Sequence, residues 1–195
     1  MVTRGCCFKK KFFISILITL IFAISFSAVL AQAELIDNGD GTITDTGFGI
    51  MWLKDANMSA TTMTWDEANE WAENLEFAGY DDWRLPSSLN QDGSGPCYGE
   101  NCTGSEMGHL YYDELLNPAG GPPTNTQPFE NVQTEHVPPG YSRYWLGPDL
   151  FTSGAMMFQF EYGGQGSNNK SQQSYVWAVR NVVPMPTPPE GFRLK

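Results

Sequence analysis

The segment Asp37–Asp55, DNGDGTITDTGFGIMWLKD, constrains the fold more than any other stretch of the chain. Asn38-Gly39 and Asp40-Gly41 are turn dipeptides that tolerate a positive φ. Thr42-Ile43-Thr44 alternates as a half-buried strand does, Thr46-Gly47-Phe48-Gly49 turns again, and Ile50-Met51-Trp52-Leu53 reads as a buried strand. The same acidic residues raise a rival, a calcium loop. An EF-hand needs oxygen ligands at alternate positions and a bidentate Glu at the twelfth. Counted from Asp37, the third, fifth and twelfth positions are Gly39, Gly41 and Phe48; counted from Asp40 they are Thr42, Thr44 and Met51. Neither frame closes a calcium shell. The stretch therefore reads as short strands joined by tight turns, with weak calcium binding by the turn carboxylates left open.

Ahead of it stand Arg4, Lys9, Lys10 and Lys11, then an apolar run from Phe12 to Leu30, then Ala31-Gln32-Ala33. That order fits a secretory signal peptide over residues 1–33, cleaved before Glu34, so the protein is expected to be secreted, periplasmic or surface-bound. Retention of the run as an uncleaved anchor is the weaker reading. Four of the 11 Lys+Arg and none of the 22 Asp+Glu lie in the leader, so the remainder carries 7 − 22 = −15. Such a surface repels phosphate and sulfate polymers, which argues against nucleic acid and anionic lipid as partners. Cys6 and Cys7 leave with the leader. Cys97 and Cys102, in CYGENC, are expected to form a disulfide in an oxidising compartment, worth about 2 kcal/mol in the chain-entropy model. A zinc site there would need more ligands than His109, and no metal set or cofactor is expected.

In TWDEANEWAENLEFAGYDDW, Thr64 and Glu67 form a capping box, Ala68, Trp71, Ala72 and Leu75 recur at helical spacing, and Gly79 is the expected stop. Thr103 with Glu106 suggests a second box, opening a helix that carries Met107, Leu110, Tyr111 and Leu115. On it His109 and Asp113 sit one turn apart; the pair reads as a solvated face in preference to an acid–base couple. Long loops are expected at Asn90–Thr103 and Asn117–Pro148. YSRYWLG, AMMFQFEY and SYVWAVRN read as three late strands, Gly163–Ser174 as a polar hairpin loop, and residues 184–195 as a Pro-rich tail. Of the six tryptophans, Trp52, Trp71, Trp83 and Trp177 are expected in the core, and Trp145 is the one placed nearest a binding surface. Nucleophile elbows, phosphate loops and His-Glu-x-x-His strings are missing, so a non-enzymatic role is expected.

The strings DNGDGTITDTGFGIMWLKDANM, TWDEANEWAENLEFAGYDDWRLPS, CTGSEMGHLYYDEL, QPFENVQ and YVWAVR together resemble the Lcl C-terminal domain family, found in secreted bacterial proteins. Trp83-Arg84-Leu85-Pro86 also resembles a string of the wider C-type-lectin-like superfamily, which includes the formylglycine-generating oxidases. The resemblance implies an α+β, C-type-lectin-like domain over residues 34–183, with two helices flanking a small twisted antiparallel sheet and long loops. It implies architectural roles for Trp83, Arg84, Pro86, Trp177 and Arg180, with both arginines paired inside the domain. The chain departs from the family at Tyr144-Trp145-Leu146-Gly147-Pro148-Asp149, where members commonly carry a Ser-rich string, and it lacks the lectin calcium triplets. The expected function is a binding or adhesion module for a neutral glycan or a protein. Its candidate contacts are Tyr98, Glu100, Tyr141, Arg143, Trp145 and Asp149. Alternatives are a self-assembling envelope subunit, which would be a homo-oligomer, and, more remotely, an oxidase of the formylglycine-generating type using Cys97 and Cys102.

Overall fold

A computed structural model describes residues 34–182, with 137, 139 and 140 excepted; the expected signal peptide and Pro-rich tail lie outside the described residues. The opening segment forms β1 (Leu35–Asp37), β2 (Thr42–Asp45) and β3 (Ile50–Leu53), paired antiparallel in sequence order. Each turn aspartate serves its own backbone. Asp37 Oδ1 accepts from Gly39 N–H at 3.0 Å, Asp40 Oδ1 from Thr42 N–H at 3.0 Å, and Asp45 Oδ1 from Gly47 and Phe48 N–H at 2.9 and 3.0 Å. These are Asx turns, which mimic a backbone turn with a side chain. Gly41, at φ +90°, has a further reason to be glycine, since a Cβ there would meet the Phe77 ring at 2.8 Å.

Helix α1 (Trp65–Glu73) starts at the expected capping box, with Thr64 and Glu67 each bonding the other's backbone. It ends earlier than the spacing suggested. Asn74 caps it, and Gly79 (φ +82°) belongs to a separate turn in which Phe77 and Tyr80 exchange backbone hydrogen bonds. Helix α2 (Glu106–His109) departs from expectation at its start. Its cap is Ser105, whose Oγ accepts from Gly108 N–H at 3.2 Å; Thr103 stands outside, because the Glu106 side chain is engaged by a distant arginine. From Leu110 to Glu114 the helix widens into a π turn, closed by Leu115 N–H donating to the Leu110 carbonyl at 2.9 Å.

The late chain forms β4 (Arg143–Trp145), β5 (Gly154–Gln159), β6 (Gly164–Asn169) and β7 (Val179–Asn181). The fold is mixed helix and sheet as expected, but it has two antiparallel sheets where one was expected, ordered β1-β2-β3-β7 and β4-β5-β6. β7 leaves its neighbours to pair with β3, Met51 opposite Arg180. β6 occupies part of the stretch expected to be a loop. Its sequence, GQGSNN, carries no apolar side chain, yet it pairs with β5 through its full length. Gly166 stands opposite Met157, and a Cβ there would lie 3.5 Å from the Met157 methyl, so small residues let a bulky neighbour cover the strand.

Trp52, Phe129, Tyr144, Phe160 and Trp177 pack ring against ring in the core, between 4.9 and 6.4 Å apart. Trp83 is buried as expected, whereas Trp71 is half-buried and packs against the edge of the core. Trp145, placed nearest a binding surface by the sequence, is fully buried; its Nε1 donates to the Met63 carbonyl at 2.9 Å. The cysteines form the expected Cys97–Cys102 disulfide. Arg180 donates to both Asp82 oxygens, at 2.6 and 3.1 Å, and lies over the Tyr80 ring. Among the described residues no helix is long and apolar enough to cross a membrane.

Two core phenols give an alkaline limit. Burial pushes Tyr111 up to about 12 and pushes Tyr144 up as well. A folded-state pKa raised above the unfolded value of about 10 leaves its stabilisation intact below pH 10 and removes it as pH rises toward 12. Stability to urea should therefore hold to about pH 10 and fall beyond it. The absorbance of tyrosinate should show these two phenols ionising only as the domain unfolds. Full ionisation of every tyrosine with the circular dichroism unchanged would contradict this.

Candidate binding cleft

A cleft of about 540 Å³ opens where the β2–β3 turn, the segment after Trp83, the middle of α1 and the start of α2 meet. Its apolar surface comes from Phe48, Ile50, Leu85, Leu89 and Pro148. Its polar wall is made chiefly of amides: Asn69 from α1, Asn90 and Gln91 from the long loop, and Asn181 from β7. The charges in its lining are Arg84 and Glu106. Arg84 Nη1 and Nη2 donate to the two Glu106 oxygens at 2.8 and 2.7 Å, a bidentate pair. Glu106 also accepts from Ser87 N–H at 2.6 Å, and Arg84 donates to the Leu85 carbonyl and to Asn181 Oδ1. Pro86 biases the preceding residue toward an extended conformation, which holds this segment against β7 through reciprocal Arg84–Val179 backbone bonds. The cleft thus has little net charge on a strongly acidic protein.

Behind the cleft wall lies His109, stacked on Phe48 with ring centroids 4.0 Å apart. It was expected on a solvated face but is only 7% exposed. Its Nδ1 lies 3.1 Å from Asp113 Oδ2, while Nε2 lies 3.2 Å from Glu114 Oε1 and 3.6 Å from Asp45 Oδ1. Burial alone would push the imidazole down; the Asp45, Asp113 and Glu114 carboxylates outweigh it and hold its pKa above the ordinary value. Burial, then the nearby Asp45 charge, pushes Glu114 up.

None of the contact residues expected from the sequence lines this cleft. Tyr98 is 55% exposed in the disulfide loop. Glu100 lines a separate depression of about 410 Å³ with Glu161 and Tyr162. Tyr141 and Arg143 stack on one another at 4.5 Å, with His136 against Tyr141 and bonded to Glu161. Asp149 pairs with Lys170 at 2.7 Å. Trp145 is in the core. Sequence reasoning missed Phe48, the four amides and the buried histidine cluster. Arg84 alone carried a signal, in Trp-Arg-Leu-Pro, and that signal pointed to architecture.

Fold and site together define a disulfide-bearing α+β domain with a charge-balanced surface cleft. The chain belongs to the Lcl C-terminal domain family, whose profile matches residues 41–180. No curated protein matches it.

Proposed function

We propose that this domain is an exported, non-enzymatic binding module of C-type-lectin-like plan whose cleft takes a neutral glycan. One observation carries the reading: the polar wall of the cleft is chiefly amide, and its charged pair is satisfied internally. A side-chain amide both donates and accepts, which matches the hydroxyls of a sugar, and the half-buried Phe48 offers a ring face to its apolar side. A net charge of 7 − 22 = −15 outside the leader keeps anionic polymers away, and the balanced cleft does not counter that repulsion. Export is supported by the leader sequence and by the disulfide. The lectin-like plan is supported by two short helices beside antiparallel sheets with long connecting loops.

The test is a double substitution on the exposed wall, Asn69→Ala with Gln91→Ala. Each removes a hydrogen-bonding side chain at little cost to the fold, since Gln91 is exposed and the Asn69 side chain bonds only the exposed Glu73 among the described residues. Binding to neutral oligosaccharides on an array should weaken at least about tenfold, with melting temperature nearly unchanged. Neutral-glycan binding that survives the double substitution, or an array with no neutral hit, would refute the reading. Capture of a protein partner that the double variant still holds would equally refute it.

A further inference from the structure

The cluster of Asp45, His109 and Glu114 lies behind the cleft, and nothing in the binding reading uses it. We propose that these three side chains bind one divalent cation of the zinc class, with Asp113 as the positioning residue for His109. The inference stands apart from the cleft reading and does not depend on it.

Among the described residues, two buried polar atoms in the cluster lack hydrogen-bond partners. Asp45 is fully buried, and while its Oδ1 serves the β2–β3 turn, its Oδ2 has no hydrogen-bond partner among the described residues. His109 Nε2 is likewise without a partner, because its approaches to Glu114 and Asp45 do not meet hydrogen-bond geometry. A buried carboxylate oxygen left this way is costly, and such an atom calls for a ligand. The imidazole is oriented as a metal ligand's would be. A tautomer with its proton on Nδ1, donated to Asp113 Oδ2 at 3.1 Å, turns the Nε2 lone pair toward the two carboxylates.

The spacing fits as well. Zinc bonds to nitrogen and oxygen run about 2.0–2.1 Å, so a tetrahedral edge between two ligand atoms is about 3.3 Å. Nε2 stands 3.2 Å from Glu114 Oε1 and 3.6 Å from Asp45 Oδ1, and one ligand atom from each of the three residues lies within 4.8 Å of the others. The π turn is what brings Glu114 there. At 3.6 residues per turn, a position five residues on would sit about 140° round the helix. The i→i+5 turn widens the coil and closes that gap, a distortion that is frequent at functional sites. Charge points the same way. A divalent ion cancels Asp45 and Glu114 together, whereas a protonated imidazole cancels one of them. The imidazole nitrogen favours zinc-class ions over calcium and magnesium, which prefer all-oxygen shells. Three protein ligands leave a fourth position for water. Bound there, the ion would pin the β2–β3 turn to the α2 segment and set the Phe48 ring that walls the cleft.

The experiment uses the chain with Cys6→Ser and Cys7→Ser, so that leader thiols take no metal, stripped with chelator and titrated with Zn²⁺ and Co²⁺. One equivalent should bind at micromolar concentration or tighter, Co²⁺ should give the visible spectrum of a tetrahedral site, and the melting temperature should rise by about 5 °C. Calcium and magnesium should not compete. Glu114→Gln, which preserves shape, should abolish the cobalt spectrum; Asp113→Asn, on an exposed side chain, should weaken binding about tenfold or more. His136→Ala should leave the titration unchanged, which separates the site from the surface His136–Glu161 pair. No saturable binding of Zn²⁺ or Co²⁺ to the folded wild type would overturn the proposal. So would binding that persists in Glu114→Gln or vanishes in His136→Ala.

Discussion

Trp177→Ala is expected to cost about 4 kcal/mol, the largest single loss in the domain. The side chain is fully buried and meets Trp52, Phe129, Tyr144 and Phe160, drawn from both sheets and the long loop. Its Nε1 donates to the Leu53 carbonyl at 2.8 Å, so the truncation also removes a buried hydrogen bond. Domains of this size hold only about 5–15 kcal/mol in total and lose about 2–4 °C of melting temperature per kcal/mol. A fall of about 10 °C is expected by calorimetry, with Trp177→Phe falling less because the ring contacts survive. A loss of under 1 kcal/mol in Trp177→Ala would show that the sheets do not share this core.

Glu106→Ala is expected to act twice. The carboxylate is nearly buried and satisfies both Arg84 and the Ser87 N–H. Removing one partner of a buried pair costs 3–5 kcal/mol when the orphaned charge is sealed in; Arg84 is about one-third exposed, so water recovers part and about 2 kcal/mol is expected. The second effect is on charge. With Glu106 gone, the Arg84 guanidinium is the net charge of the cleft, and the cleft should begin to hold sulfated or carboxylated glycans weakly, in a salt-sensitive way. Denaturation in urea measures the first effect and an array of charged glycans the second. A variant as stable as wild type, or one whose glycan profile is unchanged, would contradict the role given to the pair.

The parts of this fold that local chemistry determines were legible. The Asx turns and strands of Asp37–Asp55 follow from side chains bonding their own backbone, and α1 follows from a capping box whose two side chains bond within the box itself. Legibility failed where a residue's partner is distant. Thr103 and Glu106 have the spacing of a capping box, but Arg84, from another segment, takes the carboxylate and Ser105 becomes the cap. GQGSNN forms a strand because β5 lies alongside it, not because of any pattern in its own residues. His109 and Asp113 could be paired from helical spacing, whereas Asp45 reaches them only through the fold, and Glu114 only through a π turn that no periodicity announces. The cleft was illegible for a similar reason. Four amides scattered over three segments carry no motif, and Trp145 drew attention to a surface that does not include it.

The most direct measurement is a glycan array spanning neutral, sulfated and sialylated chains, read with the wild-type protein at low and at high salt. Hits among neutral glycans, equal at both ionic strengths, are the expected result for a cleft in which Arg84 and Glu106 neutralise one another. Hits confined to anionic glycans, fading as salt is raised, would contradict it.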